Sequence, residues 1–273
     1  MRKVPVVTFL DIDAVPAPRP ESRPALAGLL ETLARERIML IFCSGRTRAE
    51  VESKRQAFGV FHPFVCEGGA AAFIPERYFG SDIESTRKAG GYQAVEFALP
   101  YDDVVQIVRR TADRLSIGVL GFNDMSVEQV ARECGLSLLD ARLAKLREYS
   151  EPFRLLCANP VAERRLFRGL EGAGLVCQRS DSFHQASAAT GFHSAIALLT
   201  RLYRIAFGSI VTAATTDGTG AGQLIPHIEL ALPSTAGDAA DPFAARDWLE
   251  SLVHDIDILR EARIEPRAAR FAR

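Results

Sequence analysis

The chain has 273 residues, 48% of them hydrophobic and 25% charged, and a formal net charge of −1. That is an ordinary globular composition, and it excludes a basic nucleic-acid surface and a disordered acidic tail. The five cysteines (Cys43, Cys66, Cys134, Cys157 and Cys177) form no CxxC pair, which argues against a zinc or disulfide framework and for a reducing compartment.

Met1-Arg2-Lys3 is followed by an apolar stretch that stops at Asp11, too short for an export signal. No apolar run reaches bilayer length, so the expectation is a cytoplasmic protein. Residues 4–10 predict a buried strand that closes on Asp11 and Asp13. Residues 15–20 are proline-rich and cannot be helix interior. Over 24–36 the helical spacing aligns Leu26, Leu29, Leu30 and Leu33. A second strand over 38–43 ends in Ser44-Gly45-Arg46-Thr47. A polar helix covers 48–57, and 64–66 is a short third strand before Glu67-Gly68-Gly69. This β-α-β-α-β order predicts a parallel, right-handed layered sheet.

After Pro75 the pattern changes. Residues 81–91 are polar, and Gly90-Gly91 reads as a linker or hinge. Strands at 94–97, 117–122, 153–157, 174–178 and 182–187 then alternate with helices over 101–115, 126–134, 137–148 and 160–172, a separate α+β unit. The first pattern returns with a helix at 191–206 and a buried strand at 209–214 that leads to Thr216-Asp217-Gly218. A short strand at 229–232 and a helix at 242–259 follow. The fold class is therefore α/β: a Rossmann-like parallel-sheet core of residues 1–82 and 188–273, with an inserted α+β cap of residues 83–187.

The strand ends of one parallel sheet converge, so Asp11, Asp13, Ser44-Gly45-Arg46 and Asp217 are expected in one pocket. Residues i and i+2 of a strand point the same way, which sets the two carboxylates side by side. A divalent cation relieves their repulsion, and oxygen ligands suit Mg²⁺. Ser44 and the backbone N–H groups at a helix start suit a phosphate. His184, His193 and His227 lack metal-ligand spacing. The glycines of Gly218-Thr219-Gly220-Ala221-Gly222 lack the spacing of a dinucleotide fingerprint.

These pieces carry a family resemblance. Phe9-Leu10-Asp11-Ile12-Asp13, Cys43-Ser44-Gly45-Arg46-Thr47 and Glu67-Gly68-Gly69 resemble the core motifs of haloacid-dehalogenase-superfamily phosphatases with a large C2-type cap. Two cap strings, Gly121-Phe122-Asn123-Asp124-Met125-Ser126 and the run from Ala144 to Phe153 (AKLREYSEPF), are similar to the branch that acts on phosphorylated glycosyl-glycerates. The resemblance spans residues 4–232.

It implies a Mg²⁺-dependent phosphomonoesterase acting on a phosphorylated sugar or glycosyl-glycerate, with no nucleic-acid or membrane partner. Asp11 would be the nucleophile and Asp13 the proton donor and acceptor. Ser44, Gly45, Arg46 and Thr190 would contact phosphate. Asp11, Asp13 and Asp217 would hold the metal, and Arg147, Glu148 and Tyr149 would select the glycosyl-glycerate. Three departures are visible, the first being Ala14-Val15 where the family has Gly-Thr after the second aspartate. Thr190 stands where the family has a lysine, and Ala221 where it has a second acid. Lys88, Lys145 and Arg46 are the candidates to restore the missing positive charge. The alternative is a catalytically impaired relative that keeps the sugar-phosphate pocket as a regulatory or interaction protein.

Overall fold

The computed structural model describes residues 3–13, 23–157, 159–179, 182–189, 191–215, 230–232, 250–254 and 256. Thr190, Asp217, Ala221 and the 218–222 glycine segment lie outside the described residues.

Strands β1 (Val6–Asp11), β2 (Ile38–Cys43) and β3 (Phe64–Cys66) form the first part of the main sheet. Both faces of β1 and β2 are buried, so these strands read as continuous apolar runs. Their side chains divide by parity. Val6, Leu10, Ile38, Leu40 and Phe42 pack with helices α1 (Arg23–Arg35) and α2 (Arg48–Phe58). Val7, Phe9, Met39, Ile41 and Cys43 pack on the other face with α7 (His193–Phe207). This period of two buries one apolar layer on each side of the sheet. Helical residues 250–254 and 256 add Leu252 and Ile256 to the first layer.

Strand β11 (Val211–Thr215) runs parallel to β1, and β12 (Leu230–Leu232) runs parallel to β11. The parallel order β12-β11-β1-β2-β3 agrees with the sequence reading. Beyond β3 the sheet differs from it. Strands β4 (Ala71–Pro75), β6 (Tyr92–Glu96) and β5 (Arg87–Ala89) continue the same sheet in antiparallel pairing, eight strands in all among the described residues. The boundary read at residue 83 therefore falls inside the core sheet. Gly90 and Gly91 are not a linker. They join β5 to β6 in a two-residue hairpin, with φ of 59° and 84° and Ala89 opposite Tyr92. A hairpin turn with positive φ at both central residues matches the twist of its strands, and glycine adopts it without penalty.

The inserted unit has its own antiparallel sheet, ordered β7 (Val119–Gly121), β8 (Ser150–Leu155), β10 (His184–Ser187) and β9 (Val176–Gln178). Helices α3 (Tyr101–Leu115) and α6 (Pro160–Glu171) cover it, Val104, Val108, Leu166, Phe167 and Leu170 packing with Phe153 of β8. Helices α4 (Val127–Cys134) and α5 (Leu138–Ala144) form a smaller cluster around Phe122 and Met125. No helix among the described residues is long and apolar enough to cross a membrane.

The turn Glu67–Gly69 binds the layers together. Glu67, Gly68 and Gly69 all have positive φ, of 46°, 70° and 95°. A Cβ on Gly69 would lie 2.2 Å from the Gly191 carbonyl oxygen, just ahead of α7. Gly69→Ala combines left-handed strain with a backbone clash, and it should lower unfolding free energy by about 2–4 kcal/mol. Urea denaturation checks this; a change under about 0.5 kcal/mol, the size of an ordinary surface substitution, would refute the close-approach account.

Candidate active site

Parallel register fixes where the polar residues emerge. Asp11 pairs with Cys43 across β1 and β2, and Cys43 pairs with Val65 across β2 and β3. Ser44 and Glu67 therefore leave the sheet at the same edge as Asp11. The turn after β1 is held by the Ile12 N–H donating to the Cys43 carbonyl at 3.0 Å. In the next peptide, the Asp13 N–H donates to Asp11 Oδ1 at 2.8 Å.

The Ser44–Thr47 turn faces this pair. Ser44 is buried, with 1% of its surface exposed. Its hydroxyl donates to Asp13 Oδ2 at 3.2 Å and accepts from the Arg46 N–H at 3.0 Å. A Cβ added to Gly45 would meet nothing within 4 Å, so open space lies against this turn. Thr47 caps α2 through a reciprocal capping box with Glu50, satisfying N–H groups left free at the helix start. Glu50 also binds Arg46 at 3.2 Å.

Asp13 is surrounded by donors. Arg46 Nε lies 2.5 Å and Lys54 Nζ 3.4 Å from Oδ1, and Lys54 also donates to the Ile12 carbonyl at 3.0 Å. Burial would push the Asp13 carboxyl up, but Arg46 first and Lys54 second outweigh it and hold it below the ordinary carboxylate range. This bears on the metal. Asp11 offers a hard oxygen ligand of the kind Mg²⁺ takes, whereas the Asp13 carboxylate already faces two cations and a hydroxyl. The described residues contain no group of three His, Cys, Asp or Glu able to hold a metal, and Asp217 is not among them.

The sequence reading missed Lys54. The available signal is its spacing: Thr47, Glu50 and Lys54 stand at i, i+3 and i+7, one face of α2. Helical side chains point back toward the N-terminus, here toward the end of β1. Of the candidates for a compensating cation, only Arg46 reaches the site. Lys88 pairs with the exposed Asp82 at 3.2 Å, and Lys145 donates to the Phe122 and Met125 carbonyls inside the cap.

Arg147, Glu148 and Tyr149 form the seam between cap and core. Arg147 donates to the Gly45 carbonyl at 3.0 Å and is the member of the three that reaches the Ser44–Thr47 turn. Glu148 binds Arg48 at 2.7 Å and also Arg87. Tyr149 is 2% exposed; its hydroxyl donates to Glu96 and accepts from Arg87, each at 2.7 Å. Thr47 Oγ1 donates to the Leu143 carbonyl at 2.9 Å. Beneath the seam the fully buried Glu67 accepts from the Glu148 N–H at 2.8 Å, the Tyr149 N–H at 3.1 Å and the Ser150 hydroxyl at 2.5 Å.

No protein-family model matches the chain. Among curated proteins, it is 32% identical over 209 residues to the glucosyl-3-phosphoglycerate/mannosyl-3-phosphoglycerate phosphatase of Methanococcoides burtonii, covering 77% of this chain and 75% of that protein. The chain belongs to the mannosyl-3-phosphoglycerate phosphatase family.

A second member, the mannosyl-3-phosphoglycerate phosphatase of Pyrococcus furiosus, is 29% identical over 145 residues, 53% of this chain and 58% of that one. Solved structures agree in fold. A haloalkanoate-superfamily phosphatase from Bacteroides thetaiotaomicron matches with a TM-score of 0.52 at 15% identity, over 93% of this chain and 96% of that one. A subclass IIB sugar phosphatase of the same superfamily matches with a TM-score of 0.50 at 14% identity, over 82% and 85%. The chain joins a Rossmann-like core to a cap.

Glu67 yields a pH test. Burial pushes its carboxyl above the ordinary 4.5, against Arg147 and the three donors. A raised folded value means stability that is full below the unfolded pKa and lost as pH climbs through the folded one. Glu67→Gln should cost about 1–3 kcal/mol through mismatched buried donors. The deficit should be larger near pH about 4.5 than at about 7.5, as urea melts at the two pH values would show. A deficit that grows with pH would reverse the assignment.

Proposed function

We propose that the protein is a Mg²⁺-dependent phosphomonoesterase that hydrolyses mannosyl-3-phosphoglycerate, glucosyl-3-phosphoglycerate or a related phosphorylated glycosyl-glycerate. The observation that carries the reading is the Asp11–Asp13 pair facing the open Ser44–Gly45 turn, with a peptide N–H of one aspartate bonded to the carboxylate of the other. The family's relatives support the substrate class.

An Asp11 oxygen attacks phosphorus, and the bond from phosphorus to the leaving oxygen breaks. Asp13 gives its proton to that oxygen. Asp13 then takes a proton from water, the water oxygen attacks phosphorus, and Asp11 leaves as inorganic phosphate forms. Splitting the displacement in this way replaces one hard step by two easier ones.

Asp13 begins as an ion pair. A phosphate dianion arriving at Ser44 and Gly45 competes for Arg46, and two neighbouring anions disfavour ionisation. Both effects return a proton to Asp13. Phosphatases of this superfamily generally use Mg²⁺. Asp11 and Asp217 are the residues we assign to hold it; β11 supports this, because it runs parallel beside β1 and ends two positions before Asp217. When bound, Mg²⁺ neutralises charge on the transferring phosphoryl group. The Asp13 carboxylate is assigned to proton transfer and not to the metal, and Thr190 to the phosphate side of the pocket. Arg147 is the cap's contact to substrate, while Glu148 and Tyr149 set its position.

The test is phosphate release from mannosyl-3-phosphoglycerate and a sugar-phosphate panel. Asp11→Asn should lower kcat at least about 10³-fold, as loss of a nucleophile does. Chelation with EDTA should abolish release, and added Mg²⁺ should restore it. Equal turnover by Asp11→Asn, or turnover indifferent to EDTA, would overturn the reading. Arg147→Ala removes a charge-assisted contact and should lower kcat/KM for the glycosyl-glycerate about 10–100-fold. For p-nitrophenyl phosphate, which lacks the glycerate, the loss should be smaller. Equal losses on the two substrates would remove Arg147 from recognition.

A further inference from the structure

Lys54 has no part in the sequence motifs, yet its ammonium touches both the peptide between the two aspartates and the second aspartate itself. The two cations on Asp13 Oδ1 differ in their other attachments. Arg46 is shared with Glu50 at 3.2 Å and its own N–H is bonded to Ser44, so it belongs to the phosphate-facing turn. Lys54 is anchored from α2 to the Ile12 carbonyl. Its side chain is 27% exposed, and Asp13 is its carboxylate partner among the described residues. Arg46 is thus the cation an incoming phosphate draws away, and Lys54 is the one that stays.

We infer that Lys54 is a positioning residue that acts through Asp13: it ties the Ile12 carbonyl to the Asp13 carboxyl and so fixes the proton-carrying side chain on the turn after β1. The inference rests on the phosphatase reading above and adds a residue to that site. Its physical content is orientation. Once Arg46 turns to phosphate, the Asp13 side chain keeps Ser44 and Lys54 as its donors. Removing Lys54 leaves one contact, and the side chain regains rotamer freedom. A displacement of about 1 Å in a reacting group costs on the order of 10²-fold in rate.

The test compares Lys54→Met, Lys54→Arg and Lys88→Met with wild type on two substrates. Mannosyl-3-phosphoglycerate has an alkoxide leaving group that needs a proton. p-Nitrophenyl phosphate has a leaving group that does not. Lys54→Met should lose about 10–100-fold in kcat on the first, the cost of a misplaced group, with KM little changed. Its pre-steady-state burst of nitrophenol should stay near wild type. Lys54→Arg should recover most of the loss, and Lys88→Met, on the far edge of the sheet, should match wild type.

A loss of equal size in the nitrophenol burst, a change in KM alone, or an unchanged kcat would overturn the role of Lys54. So would a kcat loss that the arginine variant does not relieve. A readout independent of turnover is hydrogen exchange of the peptide containing Asp13. Loosening of this turn in Lys54→Met should speed that exchange without a matching change at Ser44–Thr47, and unaltered exchange would overturn the inference even in a protein that released no phosphate. Failure of the phosphatase reading is distinguishable, because it appears in wild type and in Asp11→Asn and not in the Lys54 comparison.

Discussion

The parallel pairing of β1 with β2, and of β2 with β3, is the constraint on which the site depends. Asp11 opposite Cys43, and Cys43 opposite Val65, determine that Asp11, the Ser44 turn and the Glu67 turn emerge at one edge. A one-residue slip would turn each side chain to the opposite face. It would also move Leu10 and Phe42 out of one apolar layer and Phe9 and Ile41 out of the other. The hydrophobic effect on both faces of the sheet therefore fixes the geometry of a polar site that contributes nothing to that burial.

How much of this was legible in the sequence follows from where each residue finds its partners. β1 and β2 were legible because burial on both faces writes itself as an unbroken apolar run. The aspartates and Ser44 were legible because they sit directly at strand ends. The β5–β6 hairpin was not. Its Gly90-Gly91 pair has the composition of a linker, and only the pairing of β4 with β6 shows it to be a tight turn. The cap string was legible as a family signature but not in its contacts. Arg48, Arg87 and Glu96, which bind Glu148 and Tyr149, lie 53 to 100 positions away. Lys54 was hidden for a related reason: a lysine on a polar helix face carries no signal until the strand end it points to is known.

Electrostatics separates two carboxylates that the sequence leaves equivalent. Asp11 accepts the Asp13 peptide N–H on its carboxylate. Asp13 is enclosed by Arg46, Lys54 and Ser44. The described structure carries positive charge beside Asp13, on α2 and on the turn before it. Arg46 and Lys54 both meet the Asp13 carboxylate.

Glu67 joins this chemistry to the cap. Its left-handed backbone costs roughly 1–2 kcal/mol, and burying its carboxylate costs more unless it is fully bonded. Three donors from residues 148–150 meet that demand. The same turn bonds back to the phosphate side, with the Glu67 N–H on the Arg46 carbonyl and the Gly68 N–H on the Ser44 carbonyl, each at 3.0 Å. One short turn thus has the cap on its side chain and the Ser44–Arg46 loop on its backbone. The contacts to the Ser44–Thr47 turn, Arg147 to Gly45 and Thr47 to Leu143, are single hydrogen bonds, the first charge-assisted and worth about 1.5–3 kcal/mol and the second about 1 kcal/mol net. Breaking the Glu67 contacts instead strands a buried charge, which costs several times more. Of the two sets, the single hydrogen bonds are therefore the cheaper to break, and Glu67 ties residues 148–150 to the Ser44–Arg46 loop.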